Sequence, residues 1–272
     1  MQPICAAIHD LSCYAKSSLT VVLPVLEVMG VEACPLPTAL LSSQTDGFPS
    51  YYFRDTSRDI IGILDAWKDL GLRFDAMYSG FLGSSDQVDL IKAFIKDQKA
   101  SLTLVDPVLG DGGSLYGPVT EQQVNAMQGL VMHADVITPN TTEAALLLGR
   151  PYQEQFDASA ALSWAKELGL ATNAKVTITS VPLGDGNVVA CYAGGESYLV
   201  PYRKLEVSYP GCGDLFASLL LGFLLRKESF QRSVELAVAF TSKAIEATMQ
   251  AGYEKRHGIA VSLILPYLAK RW

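Results

Sequence analysis

Leu102-Thr-Leu-Val-Asp106-Pro-Val-Leu-Gly-Asp-Gly-Gly113 decides the architecture: a short run of strand character ends abruptly in a carboxylate and a glycine-rich loop. The same grammar recurs along the chain. Apolar runs at Ile4 to His9, Ala76 to Gly80, Val136 to Thr138, Lys175 to Ser180 and Val188 to Ala193 read as further strands. Between them, segments of helical period lie at Leu19 to Met29, Arg58 to Leu70, Asp86 to Lys99, Glu121 to His133, Glu143 to Leu148 and Ala158 to Leu168. Two long apolar helices, Gly213 to Leu225 and Ser233 to Gln250, follow. Strands alternating with helices predict an α/β fold around a mostly parallel sheet. No repeat, low-complexity tract or linker divides residues 1–272, which predicts a single domain.

Five of these strands run into polar residues: His9-Asp10, Ser79-Gly80, Asp106, Thr138-Pro139-Asn140 and Thr179-Ser180. In a parallel sheet such ends emerge on one edge, where open α/β folds bind ligands. Loops are wet in any protein, so one polar strand end says little. Five that together offer carboxylate, hydroxyl and amide groups say more.

The sharpest local feature is Pro210-Gly-Cys-Gly-Asp214-Leu-Phe-Ala217, a glycine turn opening an apolar helix. Free amides at a helix start, with the positive end of its dipole, can hold an anion. Asp214 in the first turn is either a base for a substrate hydroxyl or only a helix N-terminal charge. Asp106 and Asp111, with Gly110, Gly112 and Gly113, suit a Mg2+ site and a flap over phosphates, or else a solvated hairpin. Thr141 or Asn140 reads as a helix N-cap with Glu143 in the first turn, or else Asn140 and Glu143 organise a metal-water cluster. Thr179 and Ser180 are candidate phosphate donors.

Composition narrows the field. With 49% hydrophobic residues in 272 the chain can bury a large core, and a net charge of -7 without a basic stripe argues against nucleic acid and anionic membranes. No apolar window is long enough to span a bilayer and positions 1 to 30 lack the pattern of a signal peptide, so a cytoplasmic protein is expected. Cys5, Cys13, Cys34, Cys191 and Cys212 are scattered and odd in number, without CxxC spacing, and read as reduced thiols. His9, His133 and His257 are too dispersed for a metal site. A GxxxxGK[ST] loop, a complete GxGxxG after a strand and a Gx[ST]xG elbow are all missing, so a phosphate cradle, if present, is the Gly211 to Gly213 turn.

Taken in order, Asp106-Pro-Val-Leu-Gly-Asp, Thr138-Pro-Asn-Thr-Thr-Glu-Ala, Thr177-Ile-Thr-Ser and Gly211-Cys-Gly-Asp-Leu-Phe-Ala resemble the vitamin B6 kinase branch of the ribokinase-like superfamily. His9-Asp-Leu-Ser, Pro35-Leu-Pro-Thr and Ser79-Gly-Phe-Leu-Gly-Ser extend the resemblance over nearly the whole chain. It implies a three-layer α/β/α fold, a homodimer, and ATP-dependent phosphorylation of the 5′-hydroxymethyl group of pyridoxal, pyridoxamine or pyridoxine, with Mg2+ and a monovalent cation such as K+. By the same resemblance Asp214 would be the base, with the Gly211, Cys212 and Gly213 amides holding the transferred phosphoryl. Asp106 and Glu143 would serve the metal together with Asn140. Thr179 and Ser180 would touch ATP phosphates, Asp111 to Tyr116 would form the flap, and Asp10, Ser12, Thr45 and Phe81 would line the ring pocket.

The chain departs from the family pattern at several points. Asp10-Leu11-Ser12-Cys13 replaces a common Ser-His-Val-Val, Phe81 a common tyrosine and Cys212 a common threonine, and Ala15-Lys16 stand where glycines are usual. A hydroxymethylpyrimidine kinase of the same superfamily would use the same Asp214. A non-catalytic B6-vitamer or nucleotide-binding protein would keep the fold but would not need a base.

Overall fold

The apolar run at the N-terminus forms β1 (Ile4–Ser12), which is buried along almost its whole length rather than alternately. Continuous burial marks a strand covered on both faces. In the computed structural model, which describes residues 2–203, 205 and 207–270, β1 pairs in parallel with β2 (Glu32–Leu41) on one side and β4 (Ala76–Ser79) on the other. The short β3 (Phe53–Asp55) adds to β2 antiparallel. Helices α1 (Leu19–Val28) and α2 (Ser57–Asp69) pack against these strands.

β2 and β3 are not among the strands that the sequence predicts, and β2 carries Pro35 and Pro37 within it. The structure shows why they are tolerated. They lie two residues apart, so both missing N–H groups face the same side of β2, and β3 pairs only with Ala39 to Leu41. The prolines therefore occupy an open edge.

Residues Met1–Gly80 with Leu205–Trp272 make one compact unit and Phe81–Lys204 a second. In the second, β5 (Leu102–Val105), β8 (Val136–Ile137) and β9 (Lys175–Leu183) are parallel neighbours. Between β5 and β8 lies a hairpin of β6 (Gly110–Asp111) and β7 (Ser114–Leu115). β10 (Gly186–Ala193) and β11 (Glu196–Tyr202) extend the sheet antiparallel. The β10–β11 turn is Gly194-Gly195, both with positive φ, as a two-residue hairpin of matching twist requires. The sequence pattern predicts β10 but not β11. Helices α3 (Ser85–Gln98), α4 (Glu121–Val131), α5 (Thr141–Leu148) and α6 (Ala158–Thr172) complete the unit, each opened by a side-chain cap: Ser84, Thr120, Asn140 and Asp157.

The chain then returns to the first unit with α7 (Cys212–Leu225) and α8 (Phe230–Gln250). α7 is buried from Leu215 to Phe223 and packs between α1 and α8, as its unbroken apolar sequence demands. The mostly parallel mixed α/β architecture expected from the sequence is thus present. Among the described residues no helix is long and apolar enough to cross a membrane.

Close packing fixes α6 on its sheet. A Cβ at Gly169 would lie 2.0 Å from Cδ1 and 3.0 Å from Cγ of the buried Tyr192, so tilting the ring cannot make room. Gly to Ala inside a helix would otherwise gain about 1 kcal/mol of helix propensity, while overpacking typically costs about 1–3 kcal/mol. Gly169→Ala is therefore expected to lower the urea midpoint, and an unchanged or raised midpoint would show that α6 can slide on the sheet.

Candidate active site

In the first unit the polar centre forms where β1 meets the start of α7. At the bulge, Thr38 and Ala39 of β2 together oppose Asp10 of β1. Asp10 is buried and accepts hydrogen bonds from Ser12 Oγ at 3.0 Å and Ser18 Oγ at 2.5 Å. Burial pushes its carboxyl pKa up, and the two hydroxyls pull it back.

Asp214 lies in the first turn of α7, just after Gly211 in the left-handed region (φ 85°). The Ser18 N–H donates to Asp214 Oδ2 at 2.8 Å, and His9 Nδ1 stands 3.9 Å from Oδ1. Burial lifts the Asp214 pKa to about 6, opposed by the Ser18 amide and reinforced by the charge of Asp10. A carboxylate tuned so close to neutrality is suited to proton transfer. His9 is itself fully buried, which drives its pKa down to about 3, so the ring is neutral at neutral pH. It packs edge-on to Tyr78 with ring centroids 4.2 Å apart, and Tyr78 in turn donates a long 3.5 Å hydrogen bond to the Asp214 carbonyl.

The loop after β1 is clamped to this helix start. Lys16 N donates to the His257 carbonyl and Ile259 N to the Pro210 carbonyl, each at 2.9 Å. A Cβ at Gly211 would come within 2.8 Å of the Lys16 carbonyl oxygen. The Cys212 amide donates to the Tyr209 carbonyl at 3.3 Å, so of the three amides expected to hold an anion, those of Gly211 and Gly213 remain as the candidates. Burial pushes the Cys212 thiol up to about 12, which makes it a neutral side chain rather than a thiolate. Thr45 is exposed on the loop after β2, beside Gln44, whose side chain donates to the Arg256 carbonyl at 2.9 Å.

The second unit gathers the other expected residues. Asn140 caps α5 and Glu143 closes the box: Glu143 N donates to Asn140 Oδ1 at 3.0 Å, and Asn140 N to Glu143 Oε2 at 2.8 Å. The remaining Glu143 oxygen accepts from Leu109 N at 3.1 Å, and Asn140 Nδ2 donates to the Gly110 carbonyl at 2.8 Å. Thr142 Oγ1 accepts from Gly113 N at 2.9 Å. The Asp111 to Tyr116 segment is therefore part of a hairpin tied to the start of α5 at Gly113, and just before the segment at Leu109 and Gly110. Thr179 and Ser180 form a bulge opposite Val189, with Ser180 at φ 56° and Thr179 N bonded to the Pro139 carbonyl. Phe81 begins this unit and is half-buried.

Burial raises the Glu143 pKa well above the usual carboxylate range, and the nearby Asp106 charge raises it further. Two carboxylates that repel one another in a desolvated setting fit a divalent cation. No cluster of three or more His, Cys, Asp or Glu side chains suited to a metal occurs among the described residues. Such an ion would draw its other ligands from phosphates and water, as Mg2+ commonly does.

Ser18 and His9 were not foreseen as site residues. Ser17-Ser18-Leu19 reads in sequence as an ordinary helix start, and only the fold brings Ser18 to Asp214.

A family described as phosphomethylpyrimidine kinase matches residues 7–259. Among solved structures, the chain is similar to a Bacteroides thetaiotaomicron protein provisionally assigned as a phosphomethylpyrimidine kinase, in a crystal form with pyridoxal: 38% identity, TM-score 0.94, covering 98% of this chain and 96% of that one. It is also similar to pyridoxal kinase from Lactobacillus plantarum, at 33% identity and TM-score 0.93, covering 100% and 98%. Pyridoxal kinase of Arabidopsis thaliana is 29% identical over 249 residues, 84% of this chain and 78% of that protein.

The shift at Asp214 has a consequence for stability. Its folded pKa of about 6 lies above the ordinary 3.8, so its contribution is fully present below pH 3.8 and is lost as pH rises through 6. Asp214→Asn removes that penalty. The variant is expected to gain on the order of 1–3 kcal/mol over the parent between pH 4 and pH 8, read by urea unfolding at each pH. A difference that does not change with pH would place the Asp214 carboxylate in contact with water.

Proposed function

The chain belongs to the phosphomethylpyrimidine kinase family, and on that premise we propose that it transfers the γ-phosphoryl group of ATP to the 5′-hydroxymethyl group of pyridoxal, pyridoxamine or pyridoxine. The observation that carries this reading is Asp214: a desolvated carboxylate with a pKa of about 6, set beside a glycine turn at a helix N-terminus. Asp214 takes the hydroxymethyl proton as the oxygen attacks phosphorus, and ADP leaves. The Gly211 and Gly213 amides and the α7 dipole offset charge on the transferred group. Asp10, supported by Ser12 and Ser18, receives the polar edge of the ring, with Thr45 and Phe81 as further ring contacts. Likeness to a structure containing pyridoxal and to pyridoxal kinases supports this choice of acceptor.

In the second unit, Asn140, Thr179, Ser180 and the Asp111 to Tyr116 hairpin serve the nucleotide. Asp106 and Glu143 would hold Mg2+, which supplies charge neutralisation for the phosphates. Accessory K+, a homodimer, a cytoplasmic location and a single functional domain over residues 1–272 belong to the same proposal. The family description favours one alternative acceptor, a hydroxymethylpyrimidine, which the same base would serve.

Purified protein with ATP and Mg2+ should phosphorylate at least one of pyridoxal, pyridoxamine and pyridoxine faster than hydroxymethylpyrimidine, with product identified by mass. The reverse ranking would move the protein to the pyrimidine branch. Asp214→Asn should cut turnover by about 10²–10⁴ while leaving the KM for ATP unchanged. Turnover within a few-fold of the parent would remove Asp214 from the chemistry.

Divalent cations should be essential as well. A chelator is expected to abolish turnover, and Glu143→Gln to raise the Mg2+ concentration that gives half-maximal rate. An identical Mg2+ requirement in the variant would reduce Glu143 to its capping role.

A further inference from the structure

Ser18 occupies an uncommon backbone conformation for a residue with a side chain, φ 49° and ψ -130°. It is the N-cap of α1, yet its hydroxyl caps nothing in that helix. An N-cap serine ordinarily accepts a hydrogen bond from the first helical turn. Here the hydroxyl is turned to donate to Asp10, while the amide of the same residue donates to Asp214. Strain and a forgone cap at one position, both directed at a buried and a part-buried carboxylate, are the mark of a functional constraint.

We propose that Ser18 is a positioning residue for phosphoryl transfer, its hydroxyl and its amide together holding the acceptor-side carboxylate Asp10 and the base Asp214 at a fixed separation. The inference rests on the kinase reading above. Phosphoryl transfer depends chiefly on placing nucleophile and base correctly, and misplacement by about 1 Å is worth up to about 10²-fold in rate. Ser18 is the one residue hydrogen-bonded to both carboxylates among the described contacts. The loop that carries it is fixed from outside, through Lys16 on His257 and through the glycine turn at Gly211. Asp214 is faced by Asp10 and His9 from β1, by Tyr78 from β4 and by Cys212 on its own helix.

The test is Ser18→Ala, which keeps the amide and removes the hydroxyl, measured for kcat, both KM values and the pH dependence of kcat/KM with pyridoxal. We expect kcat to fall at least about 10-fold with the KM for ATP unchanged. Without the hydroxyl, Asp10 holds its proton to higher pH and raises Asp214 less, so the acid limb should move to lower pH. Asp10→Asn and the double variant complete a cycle, in which the double should be no worse than Asp10→Asn alone. Where alanine prevents folding, Ser18→Gly carries the same test, since glycine adopts positive φ without strain. Unchanged kcat and acid limb in an active parent background, or fully additive losses in the cycle, would overturn the role of Ser18. A parent protein that phosphorylates no B6 vitamer would instead overturn the kinase reading.

Discussion

The polar centre of the first unit depends on how closely the turn before α7 approaches the Lys16 carbonyl. Gly211 and Gly258 both have positive φ, and a Cβ at either would meet that oxygen, at 2.8 and 2.2 Å. Only bare backbone fits, and because it does, the loop after β1 lies flat against the start of α7. The Ser18 amide then stands 2.8 Å from Asp214. A side chain at either glycine would lift the loop and leave a buried carboxylate short of its donor, a loss of roughly 1–3 kcal/mol in itself. Two glycines far apart in sequence thus set the geometry of a carboxylate that neither one touches through a side chain.

The donors that meet the buried acids are of one kind. Asp10 is opposed by serine hydroxyls, Asp214 by a backbone amide and Glu143 by two backbone amides. Neutral donors stabilise the charged form only in part, and burial wins in all three. An arginine at the same distance would pin a carboxylate well below its ordinary pKa, which suits a structural ion pair and disables a base. Leaving Asp214 and Glu143 with neutral donors keeps Asp214 near neutrality, and it leaves Glu143, raised further by the charge of Asp106, with an electrostatic deficit that a cation can fill. The instability that this arrangement imposes on the fold and the competence for phosphoryl transfer proposed for it have the same physical origin.

Much of this was legible in the sequence because it is local. Asp214 follows its glycines directly, Asn140 and Glu143 are three residues apart and close a capping box, and β1, β4, β5 and α7 are apolar runs with sharp polar ends. What was not legible is what the fold assembles from a distance. Ser18 and Asp214 are separated by 196 positions, and no local pattern distinguishes a serine that caps a helix from one whose hydroxyl is diverted to a carboxylate. His9 read as a polar strand end, but its neutrality follows from complete burial beneath Gly80, where a Cβ would lie 2.2 Å from the ring. β2 carries two prolines, Pro35 and Pro37, which make sense only once the edge they occupy is known.

Bulges explain how strands deliver polar groups without fraying. Residues along a strand alternate between faces, so a core strand that simply continued would send every second polar side chain into apolar packing. In the first unit β2 bulges opposite Asp10, and in the second β9 bulges at Thr179 and Ser180. Each bulge interrupts the ladder without ending the strand: β1 continues to Ser12 and β9 to Leu183. Asp10, Thr179 and Ser180 therefore sit on elements that are paired on both sides of the irregularity, not on free loops. Groups carried on paired strands are held more tightly than groups carried on loops, in each unit separately, and the phosphoryl transfer proposed for this chain, which rewards placement above all, is the chemistry for which that matters most.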